Sequence, residues 1–370
     1  MEGKQLPQDV MVEILLKLPL ESLMRCKILN KSTYALISSC NFIKKHFQLS
    51  KSQQGMLAFH CETLTGFSAA LLPDDISQPV IDLELPRPSD KIIGEIIPYG
   101  PCNGIFCLHF TYLDCTDQLC LWNPVTREVK VLPLPNHHIS LMDDFVIHGF
   151  GIVPGTNDYK VVRILTSMDF DIEDSKPFIA EVYNLSTNSW RTIDITESAY
   201  SLVSPIFCSY LKGVYHWLTL GLSEEAIICF DMSDEVFWKM ELPEVYEDDS
   251  IRQVTDCNVA VINDTIAYVK EYSLNYSMDS RIDIWVMNEY SVEASWNKRY
   301  VIGPGLGLSK FLGFWKEDEI LVGEDNQPLI AYNPDARQQV HEFPIHVAEE
   351  MFQAFKYVRS IFPLSMLEDE

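Results

Sequence analysis

One unit recurs five times in the larger part of this chain, and that recurrence limits the fold more than any other feature. The copies open at Leu121 (LWNPVTREVKVLPLP), Val182 (VYNLSTNSWRTIDI), Cys229 (CFDMSDEVFWKMELP), Ile284 (IWVMNEYSVEASWNKRYVI) and Ala331 (AYNPDARQQVHEFPI). Each reads as an apolar strand, a turn opened by Asn or Asp, and a second strand with a bulky residue. The turn residues are Asn123, Asn184, Asp231, Asn288 and Asn333. Asn or Asp at the first turn position, with Pro124 and Pro334 at the second, is the chemistry of a type I turn. Val129, Trp190 and Phe237 stand six residues after their turn residues, Val340 seven after and Trp296 eight after. A second hairpin precedes each copy: GPCNGIFCLHF, GFGIVPGTNDYKVVRIL, FCSYLKGVYHWLTL, NVAVINDTIAYVKE and FLGFWKEDEILVG. Two hairpins make a four-stranded sheet, and a ring of such sheets leaves little exposed edge. The full units span roughly 98–135, 146–195, 206–244, 254–302 and 309–346. Strands left over at the two ends, GMLAFHC through VIDLEL and FQAFKYVRSIFPL, can pair into a sixth blade and close the ring. A pair of β-sandwiches is the rival arrangement.

Residues 1–50 are of another kind. In LPQDVMVEILLKLPLESLMRCKIL, residues 6–29, a helix places Val10, Met11, Ile14, Leu15 and Leu18 on one apolar stripe, and Val12 and Leu16 on a second. Polar residues keep to the line Asp9, Glu13, Lys17. Pro7 suits a first helical turn and Pro19 ends the first helix. A second helix runs from Leu20 to Leu29. Asn30 caps a third, KSTYALISS, and Asn41 a short fourth, FIKKHF. About fifty residues bury too little surface to satisfy such helices alone, so either the β-rich body or another protein must cover them.

The division shows in the charge. The chain of 370 residues carries −25 at pH 7, yet residues 1–50 carry +3 and the remaining 320 carry −28. So acidic a body repels nucleic acid and anionic membranes and attracts a basic protein. Asp169, Asp171, Glu173 and Asp174 in one stretch, and Glu247, Asp248 and Asp249 in another, fall on long loops and are the candidate contacts for such a partner. Glu2, Lys4, Asp9, Glu13 and Lys17 interrupt the first twenty residues, and no apolar run is long enough to span a bilayer. The expectation is a cytoplasmic protein with its ten cysteines reduced. Cys102, Cys107, His109, Cys115 and Cys120 form a cluster, but both cysteine pairs are five apart, where zinc sites use tighter pairs. No metal or cofactor is expected. The chain has no phosphate loop, no G-x-S-x-G elbow and no H-E-x-x-H helix. Cys107 and His109 share a strand face without an evident third group, and His216 in YHWL reads as a packed residue.

The helical segment resembles an F-box: Leu6-Pro7, Val10, Ile14-Leu15, Leu18-Pro19, Leu23 and Arg25 fall at that family's spacing. The resemblance implies that these residues dock a Skp-type adaptor, and through it a cullin-RING ubiquitin ligase. Two positions depart from the pattern: Thr33 stands where such F-boxes carry Trp, and Asn30 where they carry Ser or Cys. From about Tyr99 to Pro363 the chain is similar to plant F-box-associated domains, and the ordered set PCNGIFCL, LWNPVTREVKVLPLP, GFGIVPGTNDYKVVRI, VYNLSTNSWR, YLKGVYHWL and LGFWKEDEILV looks most like pollen S-locus F-box proteins. The fold class expected is α+β multidomain: an F-box module at 1–50, then an all-β propeller of about six blades at 51–370. The function implied is a non-catalytic substrate receptor whose targets, by the S-locus resemblance, are non-self style ribonucleases in the pollen tube cytosol. A receptor for another endogenous plant protein, or a non-degradative scaffold, are the alternatives.

Overall fold

The computed structural model describes residues 7–52, 54–61, 66–72, 78–137, 144–167, 179–193, 195, 202–203, 205–220, 225–245, 251–274, 280–303, 310–316, 319–348 and 351–364. Four helices lead: α1 (Gln8–Leu16), α2 (Leu20–Lys27), α3 (Lys31–Ser38) and α4 (Cys40–Ser50). Pro7 and Pro19 sit just before α1 and α2, where a missing N–H costs nothing. Asn30 caps α3, its Oδ1 accepting from Thr33 N at 2.8 Å. The cap of α4 is Ser39 and not Asn41: Ser39 Oγ accepts from Phe42 N at 3.4 Å, and Asn41 is already helical.

The strands follow in groups. The first is β1 (Gly55–Cys61), β2 (Phe67–Leu72) and β3 (Ile81–Leu83). The second is β4 (Ile93–Cys102), β5 (Ile105–Tyr112), β6 (Asp117–Trp122) and β7 (Val129–Val131). The third is β8 (Asp144–Ile152), β9 (Tyr159–Ser167), β10 (Ile179–Asn184) and β11 (Ser189–Ile193). Then come β12 (Tyr210–Leu211), β13 (Val214–Leu220), β14 (Glu225–Asp231) and β15 (Phe237–Glu241), followed by β16 (Ile251–Ile262), β17 (Thr265–Leu274), β18 (Ser280–Met287) and β19 (Trp296–Ile302). The last are β20 (Lys310–Phe314), β21 (Ile320–Gly323), β22 (Pro328–Asn333), β23 (Gln338–His346) and β24 (Met351–Tyr357). They form six antiparallel four-stranded sheets, and the chain is a six-bladed β-propeller. Five blades are consecutive meanders. The first has the order β24-β1-β2-β3, so the two ends of the ring share a sheet. The pairing runs from Gly55 opposite Tyr357 to Cys61 opposite Met351. The leftover strands therefore close the ring as their sequence implies.

The repeat is legible in its turns. Asn123 Oδ1 accepts from Val125 N and Thr126 N, Asp231 Oδ1 from Ser233 N and Asp234 N, and Asn333 Oδ1 from Ala336 N. Arg127, Asn188, Glu235 and Arg337, each four residues past its turn residue, have positive φ. In the fourth copy Ser291 does so at three. Bulky residues knit neighbouring blades: Trp190 Nε1 donates to Pro133 O at 2.8 Å and Trp296 Nε1 to Glu241 O at 3.1 Å, each reaching the blade before its own. Glycines of the GFG segment permit close packing. A Cβ on Gly149 would fall 2.5 Å from the Trp217 ring, and one on Gly151 would fall 2.6 Å from the Tyr210 ring.

Candidate docking surface

The helices are covered on one side only. Leu15 and Leu23 (5% and 0% exposed) join Leu20, Ile37, Phe42 and Ile43 in an apolar cluster continuous with Tyr99, Ile105, Tyr159, Leu185, Ile361 and Phe362 of the propeller body. Cys40 and Asn157 also touch, Asn157 Nδ2 lying 3.6 Å from Cys40 Sγ. On the other side Val10 and Ile14, one turn apart on α1, are 42% and 47% exposed. Ile28 (85%) and Leu29 follow α2 into solvent, and Tyr34 stands out from α3 with Lys27 Nζ 5.4 Å from its ring centre. A groove of about 1,090 Å³ runs between α1, α3 and α4, lined by Met11, Val12, Leu36 and Phe42 among polar neighbours.

The expected contact set thus divides. Pro7, Val10, Ile14, Pro19 and Arg25 are exposed, and Leu18 is half-buried. Leu15 and Leu23 face inward and pack the module, so the stripe read from the sequence divides into an inward side and an outward side. Leu6 lies outside the described residues. Ile28, Leu29 and Tyr34 are exposed apolar residues that the expected contact set did not include; the second helix, expected to reach Leu29, ends at Lys27, so Ile28 and Leu29 leave its apolar face. The departures from the F-box pattern are linked: Thr33 is buried and its Oγ1 donates to Asn30 Oδ1 at 3.1 Å, so the two residues form one cap.

Asp169, Asp171, Glu173, Asp174, Glu247, Asp248 and Asp249 all lie outside the described residues. The strand ends that flank the first group, Ser167 and Ile179, are at the blade end remote from the 153–158 turn that meets α4. That turn belongs to a continuous face: Gly213 abuts Pro154, and Lys212 Nζ donates to Asp264 O at 3.1 Å. The helices therefore lie on the face that carries the 153–158 turn and, through Asn184 and Asp158, the outer turn of the same blade, and the strand ends at Ser167 and Ile179 point to the opposite face.

The histidines and cysteines fill structural posts. His216 Nδ1–H donates to Ser209 O at 2.8 Å, and Nε2 lies 2.9 Å from Tyr290 Oη. Burial pulls its pKa down to about 4. Cys102 and Cys107 are on adjacent strands, and burial pushes both thiols well up, which removes nucleophilic character. Among the described residues no group of three or more His, Cys, Asp or Glu could hold a metal ion. Sequence reasoning missed a polar seam between the second and third blades. His109 Nε2 lies 3.2 Å from Asp117 Oδ2, and its ring centre is 4.5 Å from that of His148. Arg163 Nη1 donates to Glu181 Oε2 at 2.7 Å and to His137 O at 2.9 Å. Burial first, then the charges of His109 and Arg163, hold His148 well below the usual imidazole range. His109–Asp117 and Arg163–Glu181 each pair within one blade, but the His109–His148 contact joins two blades, so no local spacing announces the seam.

Comparison with known proteins gives two family matches: the F-box associated beta propeller domain over residues 68–364 and the F-box domain over residues 4–45. F-box protein CPR1 of Arabidopsis thaliana is 28% identical, the match covering 83% of this chain and 75% of that protein. F-box protein At3g07870 of the same plant is 23% identical, covering 90% of this chain and 85% of that protein. Among solved structures, TolB from Acinetobacter baumannii superposes with a TM-score of 0.47 at 11% identity, covering 82% of this chain and 66% of that one.

Proposed function

Because the chain belongs to the F-box-associated β-propeller family and carries an F-box at its head, we propose that it is the substrate-recognition subunit of a Skp–cullin–F-box ubiquitin ligase. The observation that carries this is the outward pair Val10 and Ile14 on a module whose inner side the propeller already seals. Fixed apolar side chains on a docked helix suit the core of an interface with a helical adaptor. The module's +3 charge suits an acidic adaptor surface. Such a receptor acts in the cytosol and converts nothing. It raises the concentration of target lysines near a charged ubiquitin carrier.

The target in this reading is a basic protein held on the propeller face away from the helices. Support comes from the −28 charge of residues 51–370 and from the F-box occupying the opposite face. The ordered motif set and this charge also favour the finer assignment, a pollen receptor for secreted style ribonucleases. The test is a pull-down from pollen extract with wild type and Ile14→Asp, together with a binding panel of style ribonucleases. Adaptor and cullin should vanish with the variant while propeller partners persist. Recovery of adaptor by Ile14→Asp defeats the receptor reading, and a panel without binding defeats the ribonuclease assignment alone.

A further inference from the structure

The chain does not stop where its ring closes. Beyond β24, residues 358–364 have no regular secondary structure, yet Ser360, Ile361, Phe362 and Leu364 are buried. Buried backbone without a ladder needs other hydrogen-bond partners. The second blade supplies them. Asn123 Nδ2 donates to Ser360 O at 3.1 Å and to Phe362 O at 2.8 Å, and Leu364 N donates to Glu128 Oε2 at 3.1 Å. The seat also depends on a missing side chain: a Cβ on Gly104 would fall 2.5 Å from Ser360 Cβ and 2.7 Å from Val358 O. The opposite side of the segment meets the helices. Phe362 stands edge-on to Phe47 of α4, ring centres 5.5 Å apart, and Arg359 Nη2 donates to Glu21 Oε1 of α2. That contact holds the Glu21 carboxyl below its ordinary value.

Asn123 differs from its counterparts. It is fully buried, and its amide serves both the local turn and the terminal segment. In the third copy the Asp231 side chain has no N–H to offer, and in the second Asn184 Nδ2 goes to Asp158 Oδ2 at 3.2 Å. The chain enters the propeller at Gly55 and leaves it at Tyr357, which are direct cross-strand partners. From that one point the helices depart upstream and the terminal segment downstream, and the two then pack on each other.

We propose that residues 358–364 are a strap that fixes the orientation of the F-box on the propeller, with Gly104 and Asn123 as positioning residues for ubiquitin transfer that act through it. The consequence for transfer rests on the receptor reading above, whereas the orientation itself does not. The single covalent connection between α4 and β1 does not by itself set the angle between the two bodies. Residues 358–364 add a second attachment, bonded to the second blade on one side and packed on α2 and α4 on the other. A receptor without chemistry contributes only proximity and orientation, so a fixed angle decides which lysines the ubiquitin carrier meets.

The test uses the full chain, Asn123→Asp, Gly104→Ala and a truncation after Tyr357. Asn123→Asp keeps the turn acceptor, as Asp231 does, and faces two carbonyl oxygens with a carboxylate. Asn333→Asp is the control. Hydrogen exchange of the α2 and α4 amides should accelerate at least tenfold in all three variants and not in the control. Lysine cross-links from Lys44 and Lys45 to the propeller should become scattered. In ligase reconstituted with adaptor, cullin and ubiquitin carrier, self-modification of propeller lysines should spread over more sites while adaptor affinity stays within twofold. Wild-type exchange and cross-links in the truncated chain would overturn the strap. If Gly104→Ala lowers the melting temperature of the propeller, the truncation, which leaves every strand intact, still decides the question. Failure of the wild type to bind adaptor would sink the ligase reading and leave the exchange result standing.

Discussion

Two neighbouring leucine-like side chains on α1 should behave in opposite ways. Ile14 is 47% exposed, so roughly 80 Å² of it is available to a partner, worth about 2 kcal/mol at 25 cal/mol per Å². Losing that contact weakens adaptor binding about thirtyfold. Ile14→Asp also asks the interface to bury an unpaired carboxylate, at a further cost of at least about 2 kcal/mol, so the total loss should reach about a thousandfold or more. The free chain should lose only about 0.5 kcal/mol of stability, because the site already meets water. Leu15, one residue on, is 5% exposed inside the module. Leu15→Ala leaves a cavity and should cost about 2–5 kcal/mol of folding stability, with adaptor affinity of the folded molecule nearly unchanged. Calorimetric titration against a Skp-type adaptor, beside thermal melts, separates the two. Unchanged affinity in Ile14→Asp, or a binding loss in Leu15→Ala under conditions where it is folded, would refute the assignment of the outward stripe to a partner.

Other outcomes concern the propeller. Glu271 is buried with Oε1 accepting from Phe311 N at 3.0 Å, and burial raises its pKa to about 8 from 4.5. A carboxyl raised on folding stabilises fully below its unfolded pKa, and this contribution disappears as pH rises through about 8, by about 5 kcal/mol in all. Wild type should therefore lose more melting temperature between pH 5 and 8 than Glu271→Gln, and equal slopes would contradict the buried neutral acid. His148 has the opposite sign: its depressed pKa means stability is lost as pH falls below the ordinary imidazole value of 6.5, so His148→Phe should flatten the acid side of the same curve. Gly149→Ala pushes a methyl into Trp217 and should destabilise by about 1–3 kcal/mol in denaturant melts, whereas Gly155→Ala, with open space around it, should cost less than Gly149→Ala and only through its positive φ.

The fold was largely legible because a propeller is a repeat, and a repeat writes its local rules several times over. Asn123, Asn184, Asp231, Asn288 and Asn333 mark the outer turns without reference to anything distant, and the alternation around them identifies the strands. Pro7, Pro19 and Asn30 likewise bound their helices from neighbours in sequence. Ownership of each apolar stripe was not written there. Ile14 and Leu15 are alike in chemistry and adjacent in sequence, and only the packing of four helices on Ile361 and Phe362 turns one outward and the other in. The double duty of Asn123 was equally hidden, because its partners at 360 and 362 are more than 230 residues away. Periodicity reports which face a helix or strand prefers to hide. What hides it is settled by the ring closing at Gly55 and Tyr357, which brings residues 358–364 against α2 and α4.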